Sequence, residues 1–150
     1  MSTIQFLQKV LLFFACMILV VDIGGSIYTK LHYQGGIDFC VKAASMEIVR
    51  DDDYARGIIK IDDIKSVEEF KKMMGVQFQM TAGQVEESII YAAPINTVPS
   101  EFVHPVTGKA YTILKPMFVA IYRVKRDGIF LKKEILVDNL SGSQVQFRPK

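Results

Sequence analysis

Twelve consecutive uncharged apolar residues, VLLFFACMILVV at positions 10–21, are bracketed by Lys9 and Asp22 and constrain everything after them. At 1.5 Å per residue the run covers about 18 Å as a helix, short of the roughly 30 Å hydrocarbon core of a bilayer. A spanning helix must therefore recruit its flanks. Ile4, Phe6 and Leu7 are available before it, with Lys9 able to snorkel back to the headgroups. Ile23, Gly24, Gly25, Ser26 and Ile27 follow it, and Tyr28 is placed as an interfacial aromatic. Extending in that direction draws Asp22 below the surface, which is costly for a lone charge. The same segment also fits a removable signal: Lys9 supplies the n-region charge, residues 10–21 the h-region, and Gly24-x-Ser26 a small-x-small site. A retained helix that anchors and packs is the favoured expectation, over residues 1–28. Residues 29–150 then form an extracytoplasmic domain.

About 120 residues remain after the helix, enough for a modest core without metals or disulfides. Eighteen basic residues against sixteen acidic ones give a formal charge of +2, and no stretch forms a basic stripe, so a nucleic-acid partner is not expected. Cys16 and Cys40 lie about 36 Å apart if one helix carries both, too far to pair within the chain. Cys40 is left as a candidate for an intersubunit disulfide. Zinc spacing and a redox CxxC are both missing from the sequence.

Gly35-Gly36 reads as a break. After it Ile37, Cys40, Val41, Ala44 and Ile48 recur at helical spacing on one face, with Asp38 in the first turn. Asp51-Asp52-Asp53 lacks the spacing of a calcium loop and reads as a solvated helix exit. Residues 57–62 (GIIKID) read as a short extended run. Ser66 and Glu69 form a capping-box pattern before a helix over 67–74, with Gly75 as its stop. Residues 76–80 (VQFQM) alternate as a strand does, and 87–92 is a second candidate strand. Residues 106–109 read as a turn. Residues 117–125 and 129–137 form a hairpin around Arg126-Asp127-Gly128, and the first of these strands is apolar on both faces, as a strand covered on both sides must be. Residues 144–147 suggest a final edge strand. The expected fold class is α+β: a hydrophobic N-terminal helix, an amphipathic juxtamembrane helix and a small antiparallel sheet.

No catalytic set emerges. His32 lies beside the anchor, and His104 sits in a Pro-bounded loop without a motif partner. GxSxG, HExxH and phosphate-cradling glycine patterns are missing, so no catalytic, cofactor-binding or metal-binding residues and no cofactor are assigned. What the order of elements does suggest is a subunit that works by packing. The stretch IDFCVKAASMEIVR at 37–50, then GIIKIDD at 57–63, then the helix at 67–74 resemble the small TadE-like pilus-assembly proteins of bacteria. The resemblance covers about residues 10–74. It implies a membrane-anchored, pseudopilin-like subunit of a Tad-like pilus or secretion assembly, in contact with membrane lipid, other assembly subunits or copies of itself. Neither a glycine nor an alanine precedes Val10, and the nearest acid is Asp22 at the far end, so no processing site is carried over. The residues expected to carry subunit packing are Lys9 and Asp22, as an axial charge pair between neighbours, with Ile37, Val41, Ala44 and Ile48. The alternative is a secreted or anchored module binding a peptide or cell-wall component.

Overall fold

A computed structural model describes residues 3–128 and 132–139, and one helix dominates it. α1 (Thr3–Ser45) runs for 43 residues, about 64 Å, straight through Gly35 and Gly36. A mid-helix glycine costs only about 1 kcal/mol against alanine, too little to stop a helix whose face is packed further on. The two expected helices are therefore one. α2 (Asp52–Ala55) is a single turn whose Asp51 cap accepts the Tyr54 amide at 3.0 Å. α3 (Asp63–Phe78) starts earlier than the sequence suggested, because Asp62 is the cap and accepts from the amides of Ile64 and Lys65. Ser66 is buried inside that helix. The capping box falls instead at Thr81 and Gln84, opening α4 (Ala82–Ser88).

Residues 76–80 are the clearest misreading. Their alternation satisfies a period of two, but Phe78 also follows Phe70 and Met74 at steps of four, and α3 takes it as a third core residue. The helix ends only at Gln79, which adopts a left-handed cap, and the carbonyl of Gly75 accepts the Met80 amide at 3.0 Å.

Five strands follow: β1 (Ile89–Ile95), β2 (Ser100–Val103), β3 (Ala110–Ile113), β4 (Met117–Asp127) and β5 (Lys132–Asn139). β1, β4 and β5 form an antiparallel sheet in the order β1-β4-β5, and β2 pairs with β3 in a separate hairpin. The second candidate strand thus begins later than expected and runs on through Pro94, which an edge strand tolerates. The expected pairing of these two strands exists, but β4 runs on through Arg126 and Asp127, which were expected in the turn, and Asp127 pairs with Lys132. Residues 144–147 lie outside the described residues.

Central β4 explains its own composition. Phe118, Ala120, Tyr122 and Val124 face α1 and α3, while Val119 and Ile121 face Phe102 and Ile113 of the β2–β3 hairpin. The domain therefore has three layers, with helices on one side of the sheet and a hairpin on the other, an α+β arrangement as expected. The segment before α3 is held by two partners. Ile61 bridges to Ile48, and the Asn96 side chain accepts the Ile61 amide and donates to its carbonyl, both at 2.8 Å.

Candidate functional site

α1 has two halves with different surroundings. From Thr3 to Val21 nearly every side chain is exposed, Leu11, Leu12, Phe13 and Phe14 among them. By length and composition this helix can cross a membrane, a test that a signal sequence also passes. From Tyr33 onward, one face enters the core: Gly36, Ile37, Cys40, Val41, Ala44 and Ser45 are buried, in pairs that recur every four residues.

Several aromatic rings lock α1 to the rest. Tyr33 stacks on Phe78 at 4.6 Å between centroids, and both lie parallel to Tyr122 at 6.2 and 6.4 Å. Gly36 permits this closeness, since a Cβ there would come within 2.8 Å of Cε1 of Phe78. The Tyr122 hydroxyl donates to Met80 Sδ at 3.0 Å, and burial pushes its pKa above the usual tyrosine range. The stack borders a half-open cleft of about 190 Å³, shared with Gln84, Glu87 and Ser88. A second, more polar groove of about 470 Å³ lies beside the Ile48–Ile61 bridge, between Arg50, Asp62 and Lys65.

The residues expected to pack subunits separate into three groups. Ile37, Val41 and Ala44 are fully buried against the chain's own α3 and sheet, so this face is not presented to a neighbour. Ile48 is half-buried and holds the bridge to Ile61. Lys9 is exposed in the lower half, whereas Asp22 is 1 % exposed between open neighbours. A charge pair between Asp22 and another copy's Lys9 thus meets an Asp22 already covered by its own chain. The half-covered stripe continues from Asp22 through Gly25, Ser26 and Thr29 to Tyr33. Ser26 and Thr29 return their hydroxyls to the carbonyls of Asp22 and Gly25 at 2.7 and 2.8 Å, which keeps polar residues satisfied within the helix.

Sequence reasoning missed the opposite, outward face of α1's upper half. Leu31 and Phe39 are 65 and 53 % exposed there, Met46 just past the helix end is 73 % exposed, and Gly24 and Gly35 have nothing within 4 Å of an added Cβ. The signal in the sequence was weak, because a step of seven is close to two helical turns but the step of eight from Leu31 to Phe39 swings about 80° round the helix, so the three do not form a tight stripe.

The remaining chemistry-bearing residues have structural duties. His104 is buried in the loop joining β2 to β3, where its Nδ1 accepts the amides of Val106 and Thr107 at 3.2 and 3.1 Å. Cys40 is enclosed in the core, and burial pushes its thiol up to about 11, which removes it as an intersubunit disulfide candidate. Among the described residues no group of three His, Cys, Asp or Glu side chains is placed to hold a metal ion. No family model, curated protein or solved structure matches the chain.

Proposed function

We propose that the protein is a membrane-anchored structural subunit of a pilus-like or secretion assembly, with its α+β domain outside the cytoplasm, acting by helix packing. The observation that carries this reading is the outward face of α1. An anchor needs apolar residues only where lipid surrounds it. Here Leu31 and Phe39, with Met46 just past the helix end, keep the outer side apolar along the domain, well beyond the segment that an anchor would place in lipid. Gly24 and Gly35 lie toward the same side, and helix-interior glycines with no neighbour inside the chain suit the close approach of another helix. The sequence resemblance to TadE-like proteins over residues 10–74 supports the pilus or secretion setting.

Replacing Phe39 and Met46 together by Asp tests the reading. Both are exposed, so the domain's melting temperature in detergent stays within about 2 °C, consistent with small surface effects. Oligomers extracted from membranes and resolved by native electrophoresis collapse to the monomer. Unchanged oligomers would refute packing through this face.

A further inference from the structure

β4 has strands on both sides over only part of its length. β1 pairs with it from Met117 to Tyr122, slipping register at a bulge between Ile89 and Tyr91, whereas β5 continues beside it from Ala120 to Asp127. From Val124 to Asp127, about 13 Å of strand, no strand lies on the β1 side among the described residues. The chain ahead of β1 explains this. Ser88 ends α4 and Ile89 opens β1 opposite Tyr122, so the polypeptide enters the sheet there from a helix.

A strand edge presents backbone donors and acceptors at the spacing that another extended chain needs. Short edges carrying a lysine, as this one does at Lys125, are ordinarily poor templates. Here a cleft changes that. The half-open cavity of about 190 Å³ is lined along the edge by Val124 and Lys125 and on its inner side by Tyr33, Met80 and Tyr122. Tyr122 and Val124 are buried on the sheet face that meets α1. In an added strand every second side chain points to that face, so one of them enters the cleft. An apolar cavity of roughly 150 Å³ takes a benzene ring, so one aromatic side chain has room. Tyr33 and Met80 offer it a ring face and a thioether sulfur. Glu87 lines the cleft together with Arg123 and Lys125, and Glu134 stands in register opposite Lys125. Both signs of charge are present, so the cleft selects no net charge.

We propose that this edge is a docking slot for an extended segment of another polypeptide, which adds to the sheet beside residues 124–127 and seats one aromatic side chain in the cleft. A second copy pairing through the same edge does not fit. Two identical edges meet about a two-fold axis as antiparallel strands, which sets the two α1 helices pointing in opposite directions. Copies anchored in one membrane in the same sense have parallel α1 helices. That exclusion rests on the anchored reading of the protein, whereas the slot itself does not. The slot gives the domain a partner other than the neighbours that meet α1.

For the test, the full chain in phosphatidylcholine nanodiscs is panned with phage displaying random heptapeptides, and the most enriched peptide is synthesised. It is expected to carry Phe, Tyr or Trp and to slow amide exchange at one or more of residues 124–127. Replacing its aromatic residue by Ala weakens binding by about tenfold or more. Glu87→Trp fills the cleft from an exposed position and weakens binding to a similar degree, with the melting temperature of the free chain unchanged. Phe39→Asp combined with Met46→Asp leaves peptide binding intact, so the slot and the packing face of α1 are tested apart. Failure to enrich any peptide, binding without protection of residues 124–127, or equal binding after loss of the aromatic residue overturns the proposal. Protection of residues 124–127 without peptide, rising with the number of chains per nanodisc, assigns the edge to a second copy and overturns it as well.

Discussion

The lower and upper halves of α1 share one backbone and one helical period, but they meet different surroundings. Below Asp22 the side chains are open on nearly all sides, and none of the described ones is buried. Above Tyr33 one face is closed by α3 and the sheet, while the outer face stays open and partly apolar. A hydrophobic helix is thus continued as an amphipathic one without a joint. Rigid continuity means that any orientation imposed on the lower half is passed on to the domain.

The comparison is most easily broken with matched phenylalanines. Phe118→Ala removes a fully buried ring from the core and is expected to cost about 3–5 kcal/mol, whereas Phe14→Ala in the lower half leaves the domain's denaturation midpoint unchanged. Equal losses in detergent would mean that the halves are not separate in stability. The adjacent glycines give a smaller contrast with opposite signs. Gly36→Ala pushes the Phe78 ring away from α1 and is expected to destabilise by about 1–3 kcal/mol. Gly35→Ala meets open space and gains up to about 1 kcal/mol of helix propensity in the isolated chain. Thermal melting of both variants decides the point, and a shared sign would contradict the placement of Phe78 over Gly36.

Asn96→Ala deletes the amide that brackets Ile61 and should cost about 1–2 kcal/mol, seen in a urea titration with an unchanged slope. The smallest effect is at alkaline pH. The Cys40 thiol rises from 9.0 to about 11 on folding, so its contribution is complete below pH 9 and is lost as pH climbs through about 11. Tyr122, also raised, adds a loss that begins near its ordinary value of 10.0. Cys40→Ala should remove the earlier part of that decline in melting temperature and leave the later part.

Much of this fold was legible in the chain. β4 announced its two-sided burial because consecutive residues from Phe118 to Tyr122 are apolar, and Asp127-Gly128 marked the hairpin end. The breaks were less legible. Gly35-Gly36 has the composition of a turn, yet Gly36 is small so that Phe78 can approach it, a contact made across 42 residues of chain. Residues 76–80 satisfy strand and helix periods equally, and only the facing α1 selects the helix. The pairing of Ile61 with Asn96 spans 35 residues and leaves no local trace. For the candidate site, the apolar segment and its bracket of Lys9 and Asp22 could be read directly. The direction of the packing face could not, because Ile37, Val41 and Ala44 look the same whether they meet a neighbour or their own sheet. Leu31, Phe39 and Met46, interspersed with Gln34, Asp38 and Lys42, read as isolated surface apolars until the covered face was known.

The most direct test of the central claim is disulfide cross-linking between copies in native membranes, with one cysteine at a time introduced along α1 or just past its end in a Cys16→Ala chain that keeps the buried Cys40. Cysteines at Phe39 and Met46, on the open face, are expected to give covalent dimers under mild oxidation, whereas cysteines at Val41 and Ala44, on the covered face, give none. Dimers through 41 or 44, or monomers at all four positions, would contradict a helix that packs outward along its whole length.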